Sequence, residues 1–408
     1  MTSTVFFVRY SFLVCIALLL FSGCNDQPSP IGSDFITDTL TTVVISSDTT
    51  SLLDSSYSGQ VKVALTNGGD RGNVAIFLVG QTSDIKSTTF VRFGTVHDSI
   101  ANLTEQEIVS AALKLLPLDY AYGDTQSNAL SFRVHRIKNL WGPSATTDTL
   151  LAGDFFGEQF GSFSGNIPYS DTIPPVMIPF TNTGDLHRWL FTDSAKYGLA
   201  LVPDAGSSLV RRFATIDAAQ ADQQVTSIEL VYKRTGSDHN DTVLVPAAFI
   251  NTFVESLIPL RQDRMTVQGG VVYRTHLFFD VSMIPALAVI HRAELVLTLD
   301  PSASKNGTVD EEPDLIARFA VDSTLTTSDG SFATGVRQIG TDNYTFPNIA
   351  PAVERWLRTG TNYGLILHSE SARELPELNN MVFYGLNDPD PSKRPRLVIV
   401  YSVPAKLK

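Results

Sequence analysis

The sequence predicts an all-β protein built from two tandem β-sandwiches, and three observations carry that prediction. With 408 residues at the usual one to two hundred per domain, the chain is long enough for two cores. Its apolar residues fall mainly in short runs of about four to nine, such as 61–65, 74–79, 90–93, 130–137 and 271–279, separated by Gly, Pro, Asn and Asp. The second half also repeats the pattern of the first, which makes one architecture used twice the economical reading.

In chain order, the first element is an export leader. One positive residue, Arg9, precedes an apolar run from Tyr10 to Phe21 and then Ser22-Gly23-Cys24. That run is far shorter than the ~20 residues a membrane-spanning helix needs. The small-small-Cys ending resembles a bacterial lipobox, which implies a signal peptide at 1–23 and lipidation of the Cys24 thiol. The only other cysteine, Cys15, lies within the leader, so a chain processed at Cys24 has a single sulfur and no intrachain disulfide. Residues 24–42 are polar, Pro-bearing and then Thr/Ser/Asp-rich, as suits a tether to a membrane surface.

The repeat fills the rest. Leu186-His187-Arg188-Trp189-Leu190 followed by Lys196-Tyr197-Gly198-Leu199-Ala200-Leu201 is echoed by Val353-Glu354-Arg355-Trp356-Leu357 and Asn362-Tyr363-Gly364-Leu365-Ile366-Leu367. The tryptophans are offset by 167 and the Tyr-Gly pairs by 166. The closing strands, Ile228, Leu230, Tyr232 and Leu397, Ile399, Tyr401, are offset by 169, whereas Ala111 and Ala293 differ by 182. The first copy therefore holds about 13 extra residues between Ala111 and Gly161. Apolar spacing at i, i+3 and i+4 makes each Trp segment a short helix with its tryptophan in the core. Alternation then places Tyr197, Leu199 and Leu201 on one strand face, and Tyr363, Leu365 and Leu367 likewise. The domains are expected at 43–234 and 243–403, joined by a linker at 235–242 that lacks apolar side chains and followed by a tail at 404–408.

A Phe-rich strand ending Arg92-Phe93 or Phe278-Phe279-Asp280, an Ala-x-Leu-x-Leu strand, the Trp helix, the Tyr-Gly-Leu strand and the terminal 394–401 segment together resemble the DNRLRE-type domain of bacterial surface proteins. The resemblance covers nearly all of 60–403, twice. It implies jelly-roll-like sandwiches and a family that includes carbohydrate-binding members. The first copy departs at its closing strand, where Ser227-Ile228-Glu229-Leu230 replaces Arg-Pro-Arg.

The chemistry is sparse. A net charge of -12 without a basic run argues against a nucleic-acid partner. No zinc-protease, nucleophile-elbow or phosphate-loop motif is present, and Gly68 to Gly72 reads as a hairpin turn. The seven histidines lack ligand spacing, so no metal site and no cofactor is expected. Acidic clusters at 310–314 and 387–390 have the oxygen atoms for structural calcium but also suit solvated turns. Trp141, Tyr120 and Tyr122 lie in the stretch holding the extra residues, either as an exposed ligand-stacking platform or as caps on the sandwich edge. The function expected is a non-enzymatic outer-membrane lipoprotein of the Gram-negative envelope. Its partners would be the membrane, through the lipid, and extracellular polysaccharide. The alternatives are a structural or adhesive protein holding a protein partner, and an accessory subunit of a polysaccharide-degrading enzyme, or such an enzyme itself.

Overall fold

A computed structural model describes residues 40–45, 52–58, 76–142, 153–169, 173–194, 196–215, 226–261, 263–308, 314–322, 328–370 and 377–404, with backbone alone for 52–58 and 329. The leader with Cys24, the tether up to residue 39, the Gly68 turn and the 310–313 acids lie outside the described residues. Strands account for 52% of the fold. In chain order they are β1 (Thr41–Ile45), β2 (Leu52–Ser58), β3 (Ile76–Gln81), β4 (Ile85–Phe93), β5 (Ile108–Gly123), β6 (Leu130–Ile137), β7 (Phe156–Gly165), β8 (Val176–Pro179), β9 (Leu199–Pro203), β10 (Leu209–Ala214), β11 (Ser227–Tyr232) and β12 (Asp241–Ser256). The second half adds β13 (Arg264–Gln268), β14 (Tyr273–Phe279), β15 (Val289–Thr298), β16 (Leu315–Ala320), β17 (Ser328–Arg337), β18 (Asn343–Phe346), β19 (Leu365–Ser369), β20 (Asn380–Tyr384) and β21 (Arg396–Ser402). Two helices, α1 (Thr183–His187) and α2 (Ala350–Thr359), carry the repeat tryptophans, Trp189 in the wide turn that continues α1.

Each half encloses one core. In the first, Leu113, Leu115, Ile178, Ile228, Leu230 and Val245 of one layer meet Phe77, Val79, Val91, Phe132, Leu199, Leu201 and Phe213 of the other. The long strands β5 and β12 cross between the layers. β12 pairs with β11 up to Pro246 and with β4 from Ala247 onward, and the β5–β10 ladder begins around Pro117 with a register shift. Proline removes a ladder donor, so these two residues sit where the strands turn the corner. Trp189 and Trp356 are both buried within their cores, as the helical spacing predicts.

The Tyr-Gly pairs have a physical reason. Gly198 and Gly364 both have positive φ, +105° and +78°, and a Cβ on either would collide with the carbonyl oxygen of Val91 or Leu277 in the neighbouring strand. This turn also corrects one expectation. Leu199 and Leu201 face the core, but Tyr197 lies before the glycine and packs on the opposite face of the sheet.

The domain boundaries differ from those the sequence predicts. Residues 233–240 form the hairpin between β11 and β12, so β12 remains in the first sandwich, which spans 76–256. The second sandwich takes its corresponding strand from the N-terminus, where β1 pairs with β21 and β2 with β14. The equivalence is residue by residue: Val43 lies opposite Ile399 as Val243 lies opposite Leu230, and Ile45 opposite Leu397 as Val245 opposite Ile228. Relative to the repeat order, the first strands have been exchanged. The expected tether accordingly ends in a strand at Thr41–Thr42.

Glu107 pins the hairpin. Its carboxylate accepts bonds from the backbone N–H of Thr104 (3.0 Å) and of Thr235 (2.9 Å), and Arg234 approaches within 3.7 Å. These donors, Thr104 first, hold its pKa at about 2 against an ordinary 4.5. A depressed carboxyl pKa contributes stability above the unfolded value and loses it as pH falls through the folded one. The stability gap between wild type and Glu107→Gln is therefore expected to be constant above about pH 4.5 and to shrink toward pH 2. A gap unchanged across that window in urea titrations would count against the assignment.

Candidate functional site

Tyr120 and Tyr122 are fully buried, which removes them as a ligand platform. On β5 they point away from the first core, while Ala121 between them points into it. The second sandwich covers that outer face, as Leu78, Ile85, Val210 and Val254 pack with Val271, Tyr273 and Leu378 around the two rings. Tyr120 Oη accepts from the Leu378 backbone N–H at 2.6 Å, and Ala121 N–H donates to Thr308 Oγ1 at 2.7 Å. Tyr122 Oη donates to Asp84 at 2.6 Å, and Lys305 reaches the same carboxylate at 2.8 Å from above the Tyr122 ring. Burial raises the pKa of both phenols, and the Lys305, Tyr122 and Thr82 hydrogen bonds more than offset burial to lower that of Asp84. The tyrosines thus seal one sandwich to the other.

Trp141 is buried too. It lies on the opposite end of the same outer face, where Trp141 and Phe155 cover Phe90, Ile137, Ala200 and Phe253. Its ring meets Phe90 edge-on at 5.3 Å and Phe249 at 5.1 Å, and its Nε1 donates to the Tyr197 carbonyl at 2.6 Å. Here the edge-capping alternative describes the residue. The extra segment of the first copy carries the side chains that close an apolar face, whereas in the second copy the corresponding strand positions hold His276, Ile366 and His368.

The acids and histidines are engaged locally. Asp388 takes Arg264 at 3.3 Å and accepts from the Asp390 N–H, while Asp390 caps the turn at Ser392. Among the described residues no group of three or more His, Cys, Asp or Glu is placed to hold a metal ion. His187 and His276 bond to the carbonyls of Leu103 and Tyr363, and burial lowers the His276 pKa.

A cleft of about 310 Å³ lies at the end of the first sandwich. One wall is the outgoing end of β4, Arg92 and Phe93 with the turn Gly94-Thr95-Val96; the other is Trp189, Leu190 and Phe191 with Lys196. The Gly94 N–H donates to the Pro246 carbonyl at 2.9 Å, which fixes the turn against the corner of β12. Phe93 meets Trp189 edge-on at 6.3 Å, and Phe191 stacks on His187 at 5.1 Å. Arg92 and Lys196 form no ion pair among the described residues, and Trp189 Nε1 has no hydrogen-bond partner there. Two cations beside aromatic walls can receive a ligand that has both an apolar face and oxygen acceptors.

In the second sandwich the equivalents of Arg92 and Lys196 are Phe278 and Asn362. Asn362 is consumed internally, donating to the Phe279 carbonyl at 2.7 Å and accepting from Gly364 N–H at 2.8 Å. Sequence reading missed Arg92 and Lys196 as site residues. The available signal was the divergence of the two copies at these positions, inside segments that otherwise match. No family model and no curated protein matches the chain.

Proposed function

We propose that the protein is a lipid-anchored outer-membrane component of the cell envelope that binds extracellular polysaccharide without catalysis, using the cleft of the first sandwich. The observation that carries this reading is that cleft, whose two cations form no ion pair among the described residues and whose counterpart positions in the second copy are occupied by Phe278 and a self-satisfied Asn362. The resemblance to DNRLRE-type domains and the leader ending at Cys24 support it from the sequence. The testing experiment is binding of the full chain to a panel of extracellular polysaccharides. At least one is expected to bind; failure of all of them would overturn the reading. Cells fed an alkyne fatty acid are expected to label the wild type and not Cys24→Ala, and an unlabelled wild type would remove the anchor.

A second reading, a protein partner, is favoured by one observation. Phe332, Val336 and Ile339 form an exposed apolar line along β17 and the turn after it. If this line is the functional surface, Phe332→Ser would abolish cross-linking of the anchored protein to an envelope protein while leaving glycan binding untouched.

A further inference from the structure

The exchanged strands separate each repeat's first strand from the sandwich that follows it. β12 runs into β13 through only residues 257–263 yet completes the first sandwich, so the second has a groove, along β21 and β14, filled from the far end of the chain. Thr41 pairs with Tyr401, 360 residues further along the chain. During synthesis β1 and β2 emerge first, the β2 partner β14 only in the second half of the chain and the β1 partner β21 last, so β1 stays unpaired until nearly the whole chain is made. By then β11 and β4 are already completed by β12.

The donor is held by contacts that another copy offers equally. β1 forms an antiparallel ladder over Thr41–Ile45, with Ile45 buried and Val43 packed against the second core, and β2 forms a ladder over Leu52–Ser58. Residues 59–75, 17 in number, join β2 to β3 and span at most about 60 Å. That reach allows the strand to leave its own molecule.

We propose that the groove along β21 and β14 is a strand-acceptor site whose ligand is the β1–β2 segment of a second copy of this chain, so that copies associate by exchanging N-terminal strands. The exchanged assembly keeps every ladder and core contact of the single chain and changes only which molecule supplies them. The inference goes beyond the binding function proposed above and does not depend on it.

Cysteine trapping tests it. Thr42 lies opposite Val400, with Thr42 exposed and Val400 half-buried, and directly opposed strand residues have Cα separations suited to a disulfide. Full chains bearing Thr42→Cys and Val400→Cys, each with a different affinity tag, would be co-expressed, purified through both tags and oxidised. The expected result is a reducible species of twice the mass carrying both tags, which neither variant gives when expressed alone with its native cysteines. The double variant Thr42→Cys/Val400→Cys, expressed alone, reports the pairing itself by closing a disulfide. Closure in the double variant with no mixed species from the co-expressed pair would overturn the proposal, and so would no closure in either.

Discussion

Trp189→Ala is expected to cost the protein about 3–5 kcal/mol of unfolding free energy, and Trp356→Ala a similar amount, because each ring fills a core that cannot fully collapse into the space left behind. Trp189 is 1% exposed and packs against Phe160 at 5.7 Å and Phe93 at 6.3 Å. Trp356 sits among Val353, Leu365 and the other residues of the second core. Trp141→Ala belongs in the same class, since that ring is buried against Phe90 and Phe249 and its indole donor is satisfied. For domains whose whole stability is about 5–15 kcal/mol, such losses lower the melting temperature visibly. Unchanged melting temperatures in all three would contradict the core and capping assignments. Trp189 also lines the cleft, so its loss confuses fold with binding and serves only as a stability probe.

The second large effect is crossed. Ile45→Asp places a carboxylate in the core of the second sandwich, and Val245→Asp does the same in the first, each at a cost of about 4 kcal/mol or more because a buried charge without a partner is expensive. By sequence position, Ile45 precedes the first sandwich. By strand pairing, its substitution should accelerate hydrogen exchange in β21 and in β14, which the adjoining β2 completes, while Val245→Asp should do so in β11 and β4. If Ile45→Asp instead opened β4 and β11, the exchange of strands would be wrong.

The crossing was not legible in the sequence because the two strands are chemically interchangeable. Val43-x-Ile45 and Val243-x-Val245 present the same alternating apolar edge, and neither contains a residue that would exclude it from the other groove. The all-β class, the Trp helices and the core faces of β9 and β19 were legible, since they depend on local periodicity. The burial of Tyr120 and Tyr122 between two bodies was not legible for a definite reason. β5 crosses between layers near Pro117, and the outward face it then presents is covered by the other sandwich. Alternation marks a side chain as facing away from one core; it carries no information about a second body packed there. Trp141 reads the same way, since only the fold brings Phe90 and Phe249 beneath it. The cleft residues escaped because an arginine at a strand end and a lysine in a turn are ordinary on a solvated surface.

The measurement that bears most directly on the proposed function replaces the cleft cations with their counterparts from the second copy, Arg92→Phe and Lys196→Asn in one full-length variant, and compares its polysaccharide binding and thermal melt with those of the wild type. Neither residue has an ion-pair partner among the described residues, so the melt should shift little. Binding is expected to fall at least about tenfold, the equivalent of about 1.4 kcal/mol. A variant that melts as the wild type does and binds the same polysaccharide with undiminished affinity would contradict the assignment of the cleft.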